Sequence, residues 1–161
     1  AAYAHSPSGV LEEEIRPCGF YRNKAKAIRA VCAALDKDHG GRVPKELDAL
    51  VALPGVGRKT ANIVLTEAYG IPGIAVDTHV LRVSARLGFS KGTDPVKTEF
   101  ELMELIPRER WIRYNQLITT HGRRCCTARK PNCTGCPVYE LCPWEGKPRR
   151  PQTPKARAER G

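Results

Sequence analysis

No stretch of this 161-residue sequence approaches the ~18 consecutive apolar residues that a bilayer span requires, so a helical membrane protein is not expected. The opening AAYAHSPSG has no basic segment followed by an apolar core, so no secretory signal is expected either. Methionine is almost missing: Met103 is the only one, and the chain reads as a processed product or an excerpt of a longer one. Alternating strand patterns are also missing, Ile74-Ala75-Val76 being too short to count, and no internal repeat is visible. A strongly amphipathic basic helix is lacking too, which leaves little support for binding to an anionic membrane surface.

What is there is a globular composition, 41% hydrophobic and 27% charged, unlike that of a disordered chain. The net charge is +10, and ten Lys/Arg against three Glu from Arg123 onward put +7 of it in the last quarter. Such an excess favours a polyanion, and counterion release makes nucleic acid the leading partner.

Helical periodicity organises the rest. Ile28, Val31, Cys32 and Leu35 mark a helix from about residue 23 to 37, ended by Gly40-Gly41. Pro44 opens a short second helix with Leu47, Leu50 and Val51 inward. After the turn Leu53-Pro54-Gly55-Val56-Gly57, a third helix runs from Arg58 to about Tyr69. Asp77 or Thr78 caps the next, with Val80, Val83 and Leu87 apolar. Asp94-Pro95 is a cap followed by a proline at the first helical position, and that helix holds Val96, Phe100 and Met103. Trp111, Leu117 and Ile118 belong to a final helix leading into a cysteine cluster. The expected fold is all-α.

Seven cysteines, an odd number, with four tightly spaced thiols and no export signal, argue for a metal site in a reducing, cytoplasmic compartment and against disulfides. Cys18 and Cys32 read as small apolar fillers. Cys126, Cys133, Cys136 and Cys142 are spaced C-x6-C-x2-C-x5-C. A four-thiolate zinc site usually presents two C-x2-C pairs, and there is one here; iron–sulfur clusters tolerate unequal spacing in a single loop. A [4Fe–4S] cluster is the expectation, zinc the alternative, and Cys125 is a spare neighbour that could exchange with Cys126. Trp144 and Pro143 are expected to cover the cluster. Arg129 and Lys130, between the first two ligands, either face a phosphate backbone or are merely solvated.

In the turn, glycines at both positions let the backbone reach positive φ and come close to another surface. Its amides, with those of the helix that follows, suit a phosphodiester; the competing reading is a plain structural turn. Lys59 stands in the first turn of that helix, whose positive end favours the free amine a nucleophile needs. Most surface lysines are simply solvated, and Asp77 alone is most often just a cap.

Together, LPGVGRKTAN, VDTHVLRV and HGRRCCTARKPNCTGCPVYELC resemble the endonuclease III family of helix-hairpin-helix DNA glycosylases, in family order and over roughly Pro7 to Trp144. The resemblance implies that Lys59 is the nucleophile and Asp77 the carboxylate. It likewise implies that Cys126, Cys133, Cys136 and Cys142 ligate the cluster. Gly55 and Gly57 match the hairpin with which the family holds DNA, and Leu53, Pro54, Val56, Arg58, Thr60, Arg129 and Lys130 are expected to contact DNA with them. The related glycosylase acting on mismatched adenine usually has no lysine at this site, so Lys59 favours the branch with lyase activity. The expected activity is therefore removal of oxidised pyrimidines from duplex DNA with β-elimination at the abasic site, by a monomer. A non-catalytic DNA-binding module and a mismatch glycosylase of the same fold are the alternatives. The expected organisation is a helical lobe over 1–71 carrying the hairpin and lacking the family's N-terminal helices. A second lobe over 72–145 ends in the cluster loop, and 146–161 is a disordered basic tail.

Overall fold

The computed structural model describes residues 2–7 and 9–149, so most of the expected basic tail lies outside the described residues. All regular structure among the described residues is helical: α1 (Val10–Glu14), α2 (Tyr21–His39), α3 (Leu47–Val51), α4 (Arg58–Tyr69), α5 (Thr78–Arg86), α6 (Pro95–Leu105) and α7 (Trp111–Arg124), with one 3-10 turn, Arg108–Arg110. No helix among them is long and apolar enough to cross a membrane. The chain divides into two compact units, Ala1–Ala75 with Pro107–Ile112, and Val76–Ile106 with Arg113–Gly161.

In the first unit, α2 ends where expected, at Gly40 in the left-handed region, whose amide reaches back to the Leu35 carbonyl. Leu50, Leu53, Ala61 and Leu65 form a buried cluster joining α3 to α4, and Val31, Leu35 and Val56 pack onto it. The α3–α4 pair is thus a hairpin closed by carbon. Removing Leu50, 1% exposed, would cost about 2–5 kcal/mol. α3 starts at Leu47 instead of Pro44, and Val51, expected inward, is 39% exposed on its last turn. In five residues only one stripe can face α4, and Leu50 occupies it.

α1 escaped the sequence pattern because VLEEE carries one useful apolar contact, the buried Leu11. It is held to α2 by a bidentate pair in which Arg29 Nη1 and Nη2 donate to Glu12 Oε1 and Oε2 at 2.6 and 2.7 Å. The guanidinium also donates to the carbonyls of Ser6 and Pro7. This bonding holds the Glu12 carboxyl at about 2, well below its ordinary 4.5. Cys18, expected as an apolar filler, is exposed, because it lies in the α1–α2 connection and not on a helix face.

The second unit packs α5 against α7. Gly122 makes this possible: a Cβ there would lie 2.9 Å from His79 Cβ and 3.1 Å from Val83 Cγ2. Val80 and Val83 are fully buried, and buried Ser84 hydrogen-bonds the Tyr114 hydroxyl at 2.7 Å. Burial pushes the Tyr114 phenol up to about 12. α6 begins as expected, Asp94 Oδ1 accepting from the Lys97 amide at 2.8 Å, with Pro95 at its first position. Its buried face differs from the expected one: Thr98, Glu99 and Leu102 are inside, while Val96 and Phe100 are 44% and 50% exposed. Residues 98, 99 and 102 share one stripe, and Val96 and Phe100, four positions apart, lie together on another face. Leu117, expected on the apolar side of α7, is 57% exposed, its neighbour Ile118 taking the inward position.

Candidate functional site

The turn between α3 and α4 is built outward from its core residues. Leu53 and Val56 point into the first unit's cluster, and the Val56 amide closes the turn on the Leu53 carbonyl at 3.1 Å. Pro54, Gly55 and Gly57 are thereby left exposed. Gly55 has φ +76°, and a Cβ there would meet Ala27 Cβ of α2 at 3.2 Å, so both backbone conformation and close packing select glycine. Gly57 departs from expectation. Its φ and ψ are −85° and 166°, the extended geometry of an N-cap, open to any residue, with nothing within 4 Å of where a Cβ would stand.

No side chain caps α4, and the first intrahelical bond runs from the Ala61 amide to the Gly57 carbonyl. The leading amides of a helix have no intrahelical partners and sit at its positive end, an arrangement that attracts an anion. Arg58 is half-buried in this first turn, while Lys59 and Thr60 are exposed. Asn62, one turn on and buried, donates to the Ile74 carbonyl at 3.1 Å and anchors the extended segment after α4. Sequence reasoning passed over it; a buried polar residue on an otherwise apolar stripe was its signal.

Asp77 belongs to the second unit, where it is the N-cap of α5. Its Oδ1 accepts from the amides of His79 and Val80 at 2.8 and 2.7 Å. One carboxylate oxygen thus fixes the start of the helix, and its own backbone is extended.

The four expected ligands come together. Cys126, Cys133, Cys136 and Cys142 line one pocket, joined there by Cys125 and His121. The loop that carries them has little apolar burial, Cys136 being its one buried hydrophobic residue among those described. Hydrogen bonds shape it instead. Asn132 N donates to Cys125 O at 2.9 Å, Thr127 Oγ1 to Lys130 O at 2.6 Å, and Cys136 N to Cys133 O at 3.0 Å. Lys147 Nζ donates to the carbonyls of Tyr139 and Cys142. Arg129 and Lys130 are exposed on this loop.

Two arginines on one face of α5 clamp the loop, and neither was singled out in the sequence. Arg82 donates to the carbonyls of Thr78, Gly122 and Cys126 at 3.0–3.2 Å. Arg86 donates from Nη1 to Cys126 Sγ at 3.3 Å and to Thr127 O at 2.9 Å, and from Nη2 to Ala128 O at 3.1 Å. Its guanidinium stacks 4.0 Å from the Trp144 ring, which lines the pocket as expected. Their i, i+4 spacing on a helix with valines on its other face was the available signal.

Burial raises the Cys133 thiol, and the thiolates of Cys126, Cys136 and Cys142 raise it further, with Arg86 opposing. Clustered thiolates that repel one another around a pocket fit a cationic metal core, which turns that repulsion into attraction. The residues present therefore fit the group.

Residues 126–142 match the profile described as the iron-sulfur binding domain of endonuclease III, and the cofactor of this loop is a [4Fe–4S] cluster. Residues 2–108 match the HhH-GPD superfamily of base excision DNA repair proteins. Endonuclease III of Synechocystis sp. is 48% identical over 143 residues, 88% of this chain and 65% of that protein. The Escherichia coli K12 endonuclease III is 41% identical over 151 residues, 89% of this chain and 72% of that protein. A solved structure of a trapped endonuclease III–DNA covalent intermediate superposes with a TM-score of 0.83 at 47% identity, covering 88% of this chain and 67% of that one. The chain thus spans less than two thirds of the Synechocystis relative's length. With its all-helical fold, its hairpin and its thiol-lined pocket, this chain belongs to the endonuclease III family of the HhH-GPD superfamily.

Proposed function

We propose that this chain carries the machinery of a bifunctional DNA glycosylase and abasic-site lyase that removes oxidised pyrimidines from duplex DNA as a monomer. The observation that carries the reading is Lys59: an exposed amine in the first turn of α4, directly after a hairpin whose helix no side chain caps. Support also comes from the relative captured as a covalent intermediate with DNA, since a covalent intermediate requires a nucleophile on the protein.

The chemistry follows from the residues. Gly55, Gly57, Arg58 and Thr60 present backbone amides and polar side chains to a phosphodiester, with Leu53, Pro54 and Val56 shaping the turn. The damaged nucleotide leaves the stack at a cost of a few kcal/mol, less for a base that pairs badly. The Asp77 carboxylate stabilises the positive charge developing on the sugar, and Lys59 reacts as the free amine. The Lys59 amine attacks C1′ as the glycosidic bond breaks, and the base departs with a proton. Ring opening gives a Schiff base on the lysine nitrogen. Loss of a proton from C2′ then expels the 3′ phosphate, and water releases the sugar fragment and restores the amine. Cys126, Cys133, Cys136 and Cys142 would hold the cluster, whose Fe–S bonds would cross-link the loop on which Arg129 and Lys130 meet the DNA backbone.

Borohydride trapping on an abasic-site duplex tests the lysine. The unaltered protein forms a covalent adduct, and Lys59→Ala forms none; an adduct that persists in Lys59→Ala overturns the assignment. Lys59→Gln loses strand scission while keeping DNA affinity. Asp77→Asn preserves the cap, since asparagine caps as well as aspartate, and slows turnover with the fold intact. An unchanged rate removes Asp77 from the mechanism.

A further inference from the structure

Five thiols, not four, line the cluster pocket. Cys125 and Cys126 are sequence neighbours, yet their amides both donate to the His121 carbonyl, at 2.9 and 2.8 Å. That shared acceptor folds the two residues into one turn at the end of α7, and both side chains reach the same pocket. Cys125 also stands close to the buried Cys136. Its sulfur, that of Cys136 and a ring nitrogen of His121 all lie within 4.8 Å of one another. Asn132 holds Cys125 by two bonds: the Cys125 carbonyl accepts from Asn132 N at 2.9 Å, and its thiol donates to Asn132 O at 3.4 Å. Cys126, by contrast, is marked by the hydrogen bond its sulfur accepts from Arg86 Nη1 at 3.3 Å.

We propose that Cys125 is a reserve ligand of the iron–sulfur cluster, placed to take the iron that Cys126 holds when that bond is lost. The inference rests on the reading of Cys126 as the ordinary ligand. The exchange is redox-neutral. The Fe–S bond to Cys126 breaks and its thiolate takes up a proton, while Cys125 gives up its thiol proton to water and forms an Fe–S bond. No further reactant is needed. The consequence is a cluster that survives transient opening at its first ligand, the one at the hinge between α7 and the loop.

The test compares iron and sulfide content, with visible absorption, for the purified chain and four variants. Cys125→Ala keeps the full cluster. Cys126→Ala keeps more than about half, whereas Cys125→Ala/Cys126→Ala and Cys142→Ala fall below about a tenth, because a four-thiolate cluster then has no substitute ligand. A folded Cys126→Ala as empty as Cys142→Ala overturns the reserve role and leaves the assignment of Cys126 standing. A Cys125→Ala that is itself empty overturns both. Should Cys126→Ala not fold, bleaching of the cluster by ferricyanide decides: loss is about threefold faster in Cys125→Ala than in the unaltered chain. Equal rates overturn the proposal.

Discussion

The hairpin and the cysteine loop reach definite shapes by opposite routes. Around the hairpin, Leu50, Leu53, Ala61 and Leu65 are buried, and the turn's geometry follows from which side chains the core pulls inward. The loop has one buried apolar residue, Cys136, and is shaped by hydrogen bonds, two arginines and thiols facing a common pocket. Carbon burial shapes a surface at its back and leaves the front open for a ligand. A loop without a core must instead be tied from within, and its exposed cations are only as fixed as that tie.

The sharpest way to break the comparison is to remove the cluster by chelation. Closed metal loops draw on the order of 10 kcal/mol from their metal. Hydrogen exchange should therefore show amides such as Cys136 and Asn132 losing protection, while Ala61, at the start of α4, keeps its own. A loop that stays protected without iron would mean that the arginines alone suffice. The reciprocal experiment is Leu50→Ala. It should cost about 2–5 kcal/mol in urea denaturation and leave the visible absorption of the cluster unchanged.

The two regions were not equally legible in the sequence. The hairpin's helices, the cap at Asp94-Pro95 and the end of α2 at Gly40 could be read because each rests on local chemistry, whether a period of 3.6, a capping oxygen or a left-handed glycine. The cysteine spacing singled out, by pattern and resemblance, four thiols that line one pocket. What escaped was whatever depends on distant packing. Arg82 and Arg86 act on carbonyls about 40 positions away. The inward face of α6 is chosen by its neighbours, which is why Val96 and Phe100 were misplaced. Gly57 looked like a second positive-φ glycine because composition cannot distinguish a turn position from a cap.

A smaller effect refines the contrast with a third kind of attachment, the charged one. The Glu12 carboxyl sits at about 2 in the folded chain against an ordinary 4.5, so the folded state binds its proton less readily than the unfolded one. The stabilisation is present above pH 4.5 and is lost as the pH falls toward about 2. Protection of α1 should fade through that window, and Glu12→Gln should remove the pH dependence. An α1 equally protected at both ends of the window would make Leu11 its sole anchor.

α5 is a rod of nine residues, about 13 Å long, stiff on the scale of a chemical step. It begins at a carboxylate, lies flush on α7 through Gly122, and carries on its flank the two guanidinium groups gripping the metal loop. Heredity must treat these three as one inheritance. An insertion in the loop or a methyl group at residue 122 tilts the rod and so re-aims the carboxylate at its tip, so that changes far from Asp77 reach it.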